Sequence, residues 1–107
     1  MLEPEVSREA HKSIIKRFVD VIVLAELKQS GPLSGYDIEL TIHRKFHVLV
    51  SPGKIYSVLY ALERNGLIKG DSGMGKRVYT LTVKGERSIM EIVEEGKSFL
   101  PYLSSLS

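Results

Sequence analysis

The chain has 107 residues, 43% of them hydrophobic, no cysteine and a formal net charge of +2. That length fits one domain with a modest core, and the missing cysteine excludes disulfides and thiolate metal sites. The charged start, MLEPEVSREAHK, reads as no signal peptide, and the longest apolar run, Val21–Ala25, is too short to cross a bilayer, so the expected setting is the cytoplasm, with no membrane partner.

Ser7 is expected to cap a first helix over residues 7–29. Its apolar residues Ile14, Ile15, Phe18, Val21, Ile22, Ala25 and Leu27 cover too wide an arc for one narrow stripe. Such a helix should meet the domain core on one side and a second surface, such as a partner subunit, on another. Gln29-Ser30-Gly31-Pro32 ends it. Ser34 to Asp37 then reads as a helix start, with Asp in place of the usual capping-box Glu, and Leu33 and Ile38 are spaced for a hydrophobic staple. This second helix covers 34–46, with Ile38, Ile42 and Phe46 inward and Leu40 outward.

A short extended link, Val48–Val50, leads into the third helix, 51–65, whose start and stop are both written in the sequence. Ser51 suits the N-cap, Pro52 the first turn and Gly66 the left-handed residue just past the end. Ile55, Val58, Leu59 and Leu62 repeat at helical spacing and form one buried stripe. The opposite face carries Gly53, Ser57, Tyr60 and Arg64, with Lys54 on its flank. Residues 67–82 read as a β-hairpin: strands at Leu67-Ile68 and Val78–Thr82 enclose a loop with Gly70, Asp71, Gly73 and Gly75. Thr82 caps a last helix, 83–104, with the stripe Ile89, Ile92, Val93, Phe99 and Leu103, and Pro101 is expected to end or kink it. The order helix, helix, helix, hairpin, helix predicts a mainly α chain with a small β-hairpin (α+β). It is a winged helix-turn-helix in a single domain, 1–107, with added helices at both ends.

Charge is uneven along the chain. Residues 51–87 hold seven basic side chains (Lys54, Arg64, Lys69, Lys76, Arg77, Lys84, Arg87) against three acidic ones (Glu63, Asp71, Glu86), whereas residues 1–50 hold seven of each. A local basic face is the electrostatic footprint of phosphate binding, although the same unevenness also suits an ordinary soluble surface. In a winged helix the third helix enters the major groove with its N-terminal half. From Ser51 onward, Lys54, Ser57 and Tyr60 are therefore placed to reach bases or adjacent phosphates, with Lys54 a donor to guanine O6/N7. Arg64 is expected at a phosphate, and Lys76 and Arg77, on the wing 70–77, at the minor groove.

Other chemistry finds little support. Gly70-x4-Gly75-Lys76 matches most of a P-loop, but Arg77 stands where Ser or Thr belongs and a strand follows instead of a helix. His43 and His47 have i, i+4 spacing with Glu39 nearby, yet no fourth ligand accompanies them. No nucleophile–base pair is present, and His11 stands alone in a charged stretch. The chain is read as no enzyme, with no cofactor and no metal.

The motifs GPLSGYDI (Gly31–Ile38), SPGKIYSVLYALERNGLI (Ser51–Ile68) and KRVYTLTVKGE (Lys76–Glu86) resemble the PadR family of winged-helix transcriptional regulators, in its short form with one helix after the wing. The resemblance covers about Val19 to Gly96. It implies a homodimer on double-stranded DNA, in which the last helix packs with the first helix of a second subunit and a palindromic operator is bound. It implies a dimer interface through Ile14, Phe18, Ile89, Ile92, Val93, Phe99 and Leu103. It also suggests that the Tyr56 hydroxyl reaches the DNA backbone and that Tyr36 makes a phosphate contact of the same kind. Tyr36, Tyr56 and Tyr60 equally suit amphipathic packing, and for Tyr56 the two readings stand level. The chain departs from the family in Lys54 where Thr is common, in Ser57 where Pro is common, in a wing with fewer cations, and in Val78-Tyr79 where a Tyr pair is common. It has no Trp, so ligand stacking on a last-helix Trp does not carry over. The expected function is a sequence-specific DNA-binding regulator, a homodimeric repressor. The alternative is a winged-helix module that binds protein through Leu40 and the last helix. A small-molecule effector held between subunits is compatible with the first reading.

Overall fold

A computed structural model describes residues 4–107, and the side chains from Arg8 onward except Met74. The helix expected over 7–29 is two helices, α1 (Pro4–Arg17) and α2 (Val19–Ser30), and Ser7 lies inside α1 rather than at its cap. Proline suits a first helical position, so Pro4 starts the helix a turn earlier. The break falls on Phe18, whose φ of −107° and ψ of 19° leave the helical region. It costs little, because the Phe18 amide still bonds the Ile15 carbonyl (3.1 Å) and Ile22 bonds back to Phe18 (2.9 Å). The bend lets Ile15 and Val19 both reach the core while Ile14 and Phe18 stay outside. His11, unassigned in the sequence, holds α1 down: its Nε2 lies 2.7 Å from the Phe46 carbonyl.

A two-residue strand, β1 (Leu33–Ser34), leads into α3 (Gly35–Phe46). Ser34 accepts from the Asp37 amide (3.1 Å), and Asp37 accepts from the Ser34 amide (3.0 Å), which closes the capping box with Asp in the Glu position. The bond from the Ser34 amide, then the Ser34 hydroxyl close to the carboxylate and the charge of Lys76, hold the Asp37 carboxyl below the usual carboxylate range. α4 (Pro52–Arg64) follows, with Ser51 accepting from the Lys54 amide at 3.2 Å. It ends in a Schellman pair, Gly66 to the Glu63 carbonyl (3.0 Å) and Leu67 to the Leu62 carbonyl (2.9 Å), for which Gly66 takes φ +77°.

β2 (Ile68–Asp71) and β3 (Val78–Leu81) form the wing, with a 3₁₀ turn at Gly73–Gly75. The sheet has three strands rather than a lone hairpin. β1 pairs antiparallel with β3, Leu33 opposite Tyr79, and the order is β1-β3-β2. A two-residue strand has no alternation to detect, which is why the sequence shows only the hairpin. α5 (Val83–Ser104) starts from Thr82, which accepts from the Gly85 amide and donates to the Gly66 carbonyl (2.6 Å). α5 runs through Pro101 rather than ending there. A helical φ suits proline, and the one lost bond would have gone to the Lys97 carbonyl on a stretch exposed to water.

The core joins Val19, Val23, Leu24 and Leu27 of α2 to Ile38 and Ile42 of α3, Ile55, Leu59 and Leu62 of α4, and Ile68, Tyr79 and Ile89. Val58 and Leu40 are half-buried, so Leu40 does not stand out from the surface as expected. Ile89, expected at a dimer interface, is 4% exposed and belongs to this core. It is the seventh residue of α5, nearly two turns in, and beyond it the helix has no further buried side chain among the described residues. Ile92, Val93, Phe99, Leu100 and Leu103 are all exposed. Glu26, buried in α2, is neutralised by Lys45 at 2.6 Å.

Two stability predictions follow from the packing of α4 and the cap of α3. Leu59→Ala should destabilise the chain by ~2–5 kcal/mol, whereas Tyr60→Ala, one residue on and exposed, should stay within ~0.5 kcal/mol. Equal shifts in the urea midpoints would contradict the assigned faces of α4. Because the Asp37 carboxyl is held low in the folded state, its stabilisation is complete at neutral pH and is lost as pH falls below about 4. Asp37→Asn should therefore lower the midpoint at pH 7 and flatten its decline with acid.

Candidate nucleic-acid interface

Burial of Ile55, Leu59 and Leu62 turns the line Gly53, Ser57, Tyr60 and Arg64 toward solvent. Tyr60 is 66% exposed, and the Arg64 guanidinium carbon lies 5.7 Å from its ring centre. Such a contact holds a flat cation over an aromatic ring at the helix surface. Ser51 is exposed, and its hydroxyl is engaged in the cap. Tyr56 packs its ring against the first residue of α3, where a Cβ on Gly35 would come within 2.8 Å of it, yet half of the side chain stays exposed. Both readings of Tyr56, packing and surface contact, thus have a physical basis. Tyr36 is exposed on the first turn of α3.

The wing is braced to α4 through an acid. The Arg77 Nη2 donates to both carboxylate oxygens of Glu63 (3.0 and 2.7 Å), and the Gly70 amide donates to one of them (3.2 Å). Arg77 Nη1 donates to the Ser72 hydroxyl at 3.1 Å, and the guanidinium lies over the Tyr79 ring, 5.6 Å from its centre. The bonds from Arg77 and then Gly70 hold the Glu63 carboxyl below its usual range, and Glu63 in turn raises the Arg77 guanidinium. A concavity of about 520 Å³ opens between α4 and the wing, lined by Tyr56, Tyr60, Glu63, Arg64, Arg77 and Tyr79. Arg77 is thus committed within the chain, while Lys76 forms no ion pair among the described residues.

Lys54 lies elsewhere. It shares the line of Val58, Ala61 and Asn65, on the flank of α4 that faces α1 and α2. There it borders Lys12, Lys16 and Arg17 of α1, a juxtaposition that segment-wise charge counting could not find because residues 1–50 are neutral in sum. No group of three or more acidic or His side chains suited to a metal occurs among the described residues, Glu39, His43 and His47 included. None of the described helices is long and apolar enough to cross a membrane.

Several solved structures of similar shape are regulators. A transcriptional regulator from Clostridium thermocellum is 25% identical, with a TM-score of 0.75 over 98% of this chain and 97% of that one. A PadR family regulator from Eggerthella lenta gives 0.78 at 18% identity, over 95% of this chain and 92% of its own, a likeness of fold alone. Bacillus subtilis PadR, solved in complex with operator DNA, gives 0.63 at 26% identity, over 72% of this chain and 47% of its own. No curated protein sequence matches. The family description for PadR-like transcriptional regulators matches residues 23–91, a span that runs from α2 through the wing into α5. With the winged-helix fold and a match over more than half its length, this chain belongs to the PadR-like family of transcriptional regulators, a family of regulators rather than enzymes.

Proposed function

We propose that this chain is a homodimeric repressor that binds a palindromic operator, with α4 in the major groove and the wing at the adjacent minor groove. The observation that carries the reading is the exposed line Ser57, Tyr60 and Arg64 on a helix whose other side is fully buried and whose end is braced to the wing. Bacillus subtilis PadR, a relative of the same fold, is solved in complex with operator DNA, which supports operator DNA as the partner. Ser57 and Tyr60 offer hydroxyls to base edges, while Arg64, Lys76, Tyr36, the Tyr56 hydroxyl and the capping turn at Ser51 meet the backbone. Lys54, set off toward α1, serves a phosphate at the edge of the groove rather than a base. Arg77 acts by holding the wing at a fixed angle to α4. Repression follows from occupancy, because a duplex filled by two such helices is closed to other proteins.

The second subunit is read from α5. A helix of 22 residues is ~33 Å long, and beyond Ile89 it presents Ile92, Val93, Phe99 and Leu103 to solvent. With Ile14 and Phe18 of α1 these form the proposed dimer interface. Ile89 supports it from within the core rather than by contact. An effector held between subunits would act by changing the separation of the two α4 helices, which must stand about one duplex turn, ~34 Å, apart.

Selection of bound sequences from random DNA should enrich one palindrome. Enrichment of no sequence would favour the protein-binding alternative. Tyr60→Ala should cost ~1–3 kcal/mol on the selected site and little on random DNA, while Lys54→Ala should weaken both alike. Glu63→Gln removes a negative charge from the surface, so random DNA should bind as well or better. The selected site should nevertheless bind worse, because the wing is released. Improved binding to both would sink the bracing role. Ile92→Glu should yield monomers on a sizing column.

A further inference from the structure

We propose a second phosphate-binding surface on α1, formed by Lys12, Lys16 and Arg17, that grips the DNA backbone outside the half-site read by α4. The inference rests on the DNA-binding reading above and extends it to residues that neither the family match nor the sequence motifs include, since the match begins at residue 23.

The argument starts from charge that has no internal use. Lys12, Lys16, Arg17 and Lys54 line one open concavity of about 490 Å³, with Glu9 the sole acid on its rim among the described residues. Lys12 reaches Glu9 only loosely, at 3.7 Å. Lys16, Arg17 and Lys54 form no ion pair among the described residues. Elsewhere, four cations are paired within the chain: Lys28 with Glu86, Lys45 with Glu26, Arg77 with Glu63 and Lys97 with Glu94. Cations gathered without partners repel one another, and that repulsion is relieved by an external anion.

The position of the surface selects the anion. Lys16, Arg17 and Lys54 also line a neighbouring concavity of about 290 Å³ that runs along α4 past Val58 to Asn65, with Asp20 on its margin. The α1 cations are therefore continuous with the flank of the helix proposed to enter the groove. The wing lies on the opposite flank of α4. A duplex seated on α4 has backbone on both sides, and phosphates recur every ~3.4 Å along each strand, so the α1 side meets a backbone as the wing side does. α1 is also held as a platform: Ile15 is buried and His11 is bonded to the end of α3. The other described side chains of α1, Lys16 and Arg17 among them, are exposed.

The test compares two duplexes, the selected site with ten or so flanking base pairs and the same site trimmed of its flanks. Affinity is followed by fluorescence anisotropy between 50 and 200 mM salt. The variant is Lys16→Gln with Arg17→Gln, both exposed, with circular dichroism as the check on folding. On the flanked duplex the variant should lose about 1.8 from the log–log salt slope per subunit, two phosphates at ~0.9 each. Over that fourfold range of salt, wild-type affinity should then fall ~12-fold more per subunit than that of the variant. On the trimmed duplex the two proteins should behave alike. Lys16→Arg with Arg17→Lys, which keeps both charges, should restore the slope. An unchanged slope for the neutral variant on the flanked duplex, or an equal loss on both duplexes, would overturn the proposal while leaving the α4 reading intact. Failure of wild type to prefer the selected site on either duplex would overturn both.

Discussion

The surface this chain can offer a duplex is decided by how α4 is buried. Ile55 and Leu59 are removed from water almost completely, and side chains of that size are each worth ~1.5–3 kcal/mol when fully buried. Rotating α4 by one position would bring Tyr56 and Tyr60 toward the core in their place and expose the isoleucine. The helix cannot slide along its axis either, because Ser51 fixes its first turn and the Gly66 Schellman pair fixes its last. With rotation and translation both set, the outward line Gly53, Ser57, Tyr60 and Arg64 is a consequence of the core rather than a separate feature.

That fixed helix then sets the wing. Leu67, bonded to Leu62, passes directly into β2, so the wing leaves α4 at an angle chosen by the helix end. Glu63 closes the angle from the other side. An acid on a surface proposed to face phosphates is unfavourable by itself, yet Glu63 carries three hydrogen bonds from the wing. A solvent-screened pair of this kind adds too little to folding to explain the acid by stability. What the pair does supply is geometry: one guanidinium touches α4, the wing loop at Ser72 and the face of Tyr79 together. The bond cost of an acid near DNA is offset by a wing whose distance from α4 does not drift.

Much of this was legible because it is local. A cap, a stripe and a stop signal lie within a few residues of one another, and so the start, end and faces of α4 could be read directly. Long-range placement could not. β1 consists of two residues and exists only because Tyr79, far along the chain, pairs with Leu33. Ile89 fits the exposed stripe of α5 by spacing, but the fold draws that position into the core. Arg77 reads as a free wing cation until the fold brings Glu63 beneath it. Lys16 and Arg17 lie in a segment whose charges cancel, and only the bend at Phe18 and the packing of α1 set them beside Lys54.

The bend at Phe18 has a further mechanical meaning on the proposed reading. α1 carries two different surfaces: Ile14 and Phe18, apolar and exposed, and Lys16 and Arg17, cationic and beside α4. If the apolar pair meets the α5 of a second subunit, α1 becomes the element shared by the dimer seam and the basic surface. A change of subunit angle would then move the basic surface together with the seam, since Lys16 and Arg17 line the same open concavity as Lys54. The core itself is poorly suited to transmit such a change, because α2, α3 and α4 are closely packed about fully buried residues. α1 is attached to that core at two points, the buried Ile15 and the contact of His11 with the Phe46 carbonyl, and it joins α2 through the one-residue break at Phe18.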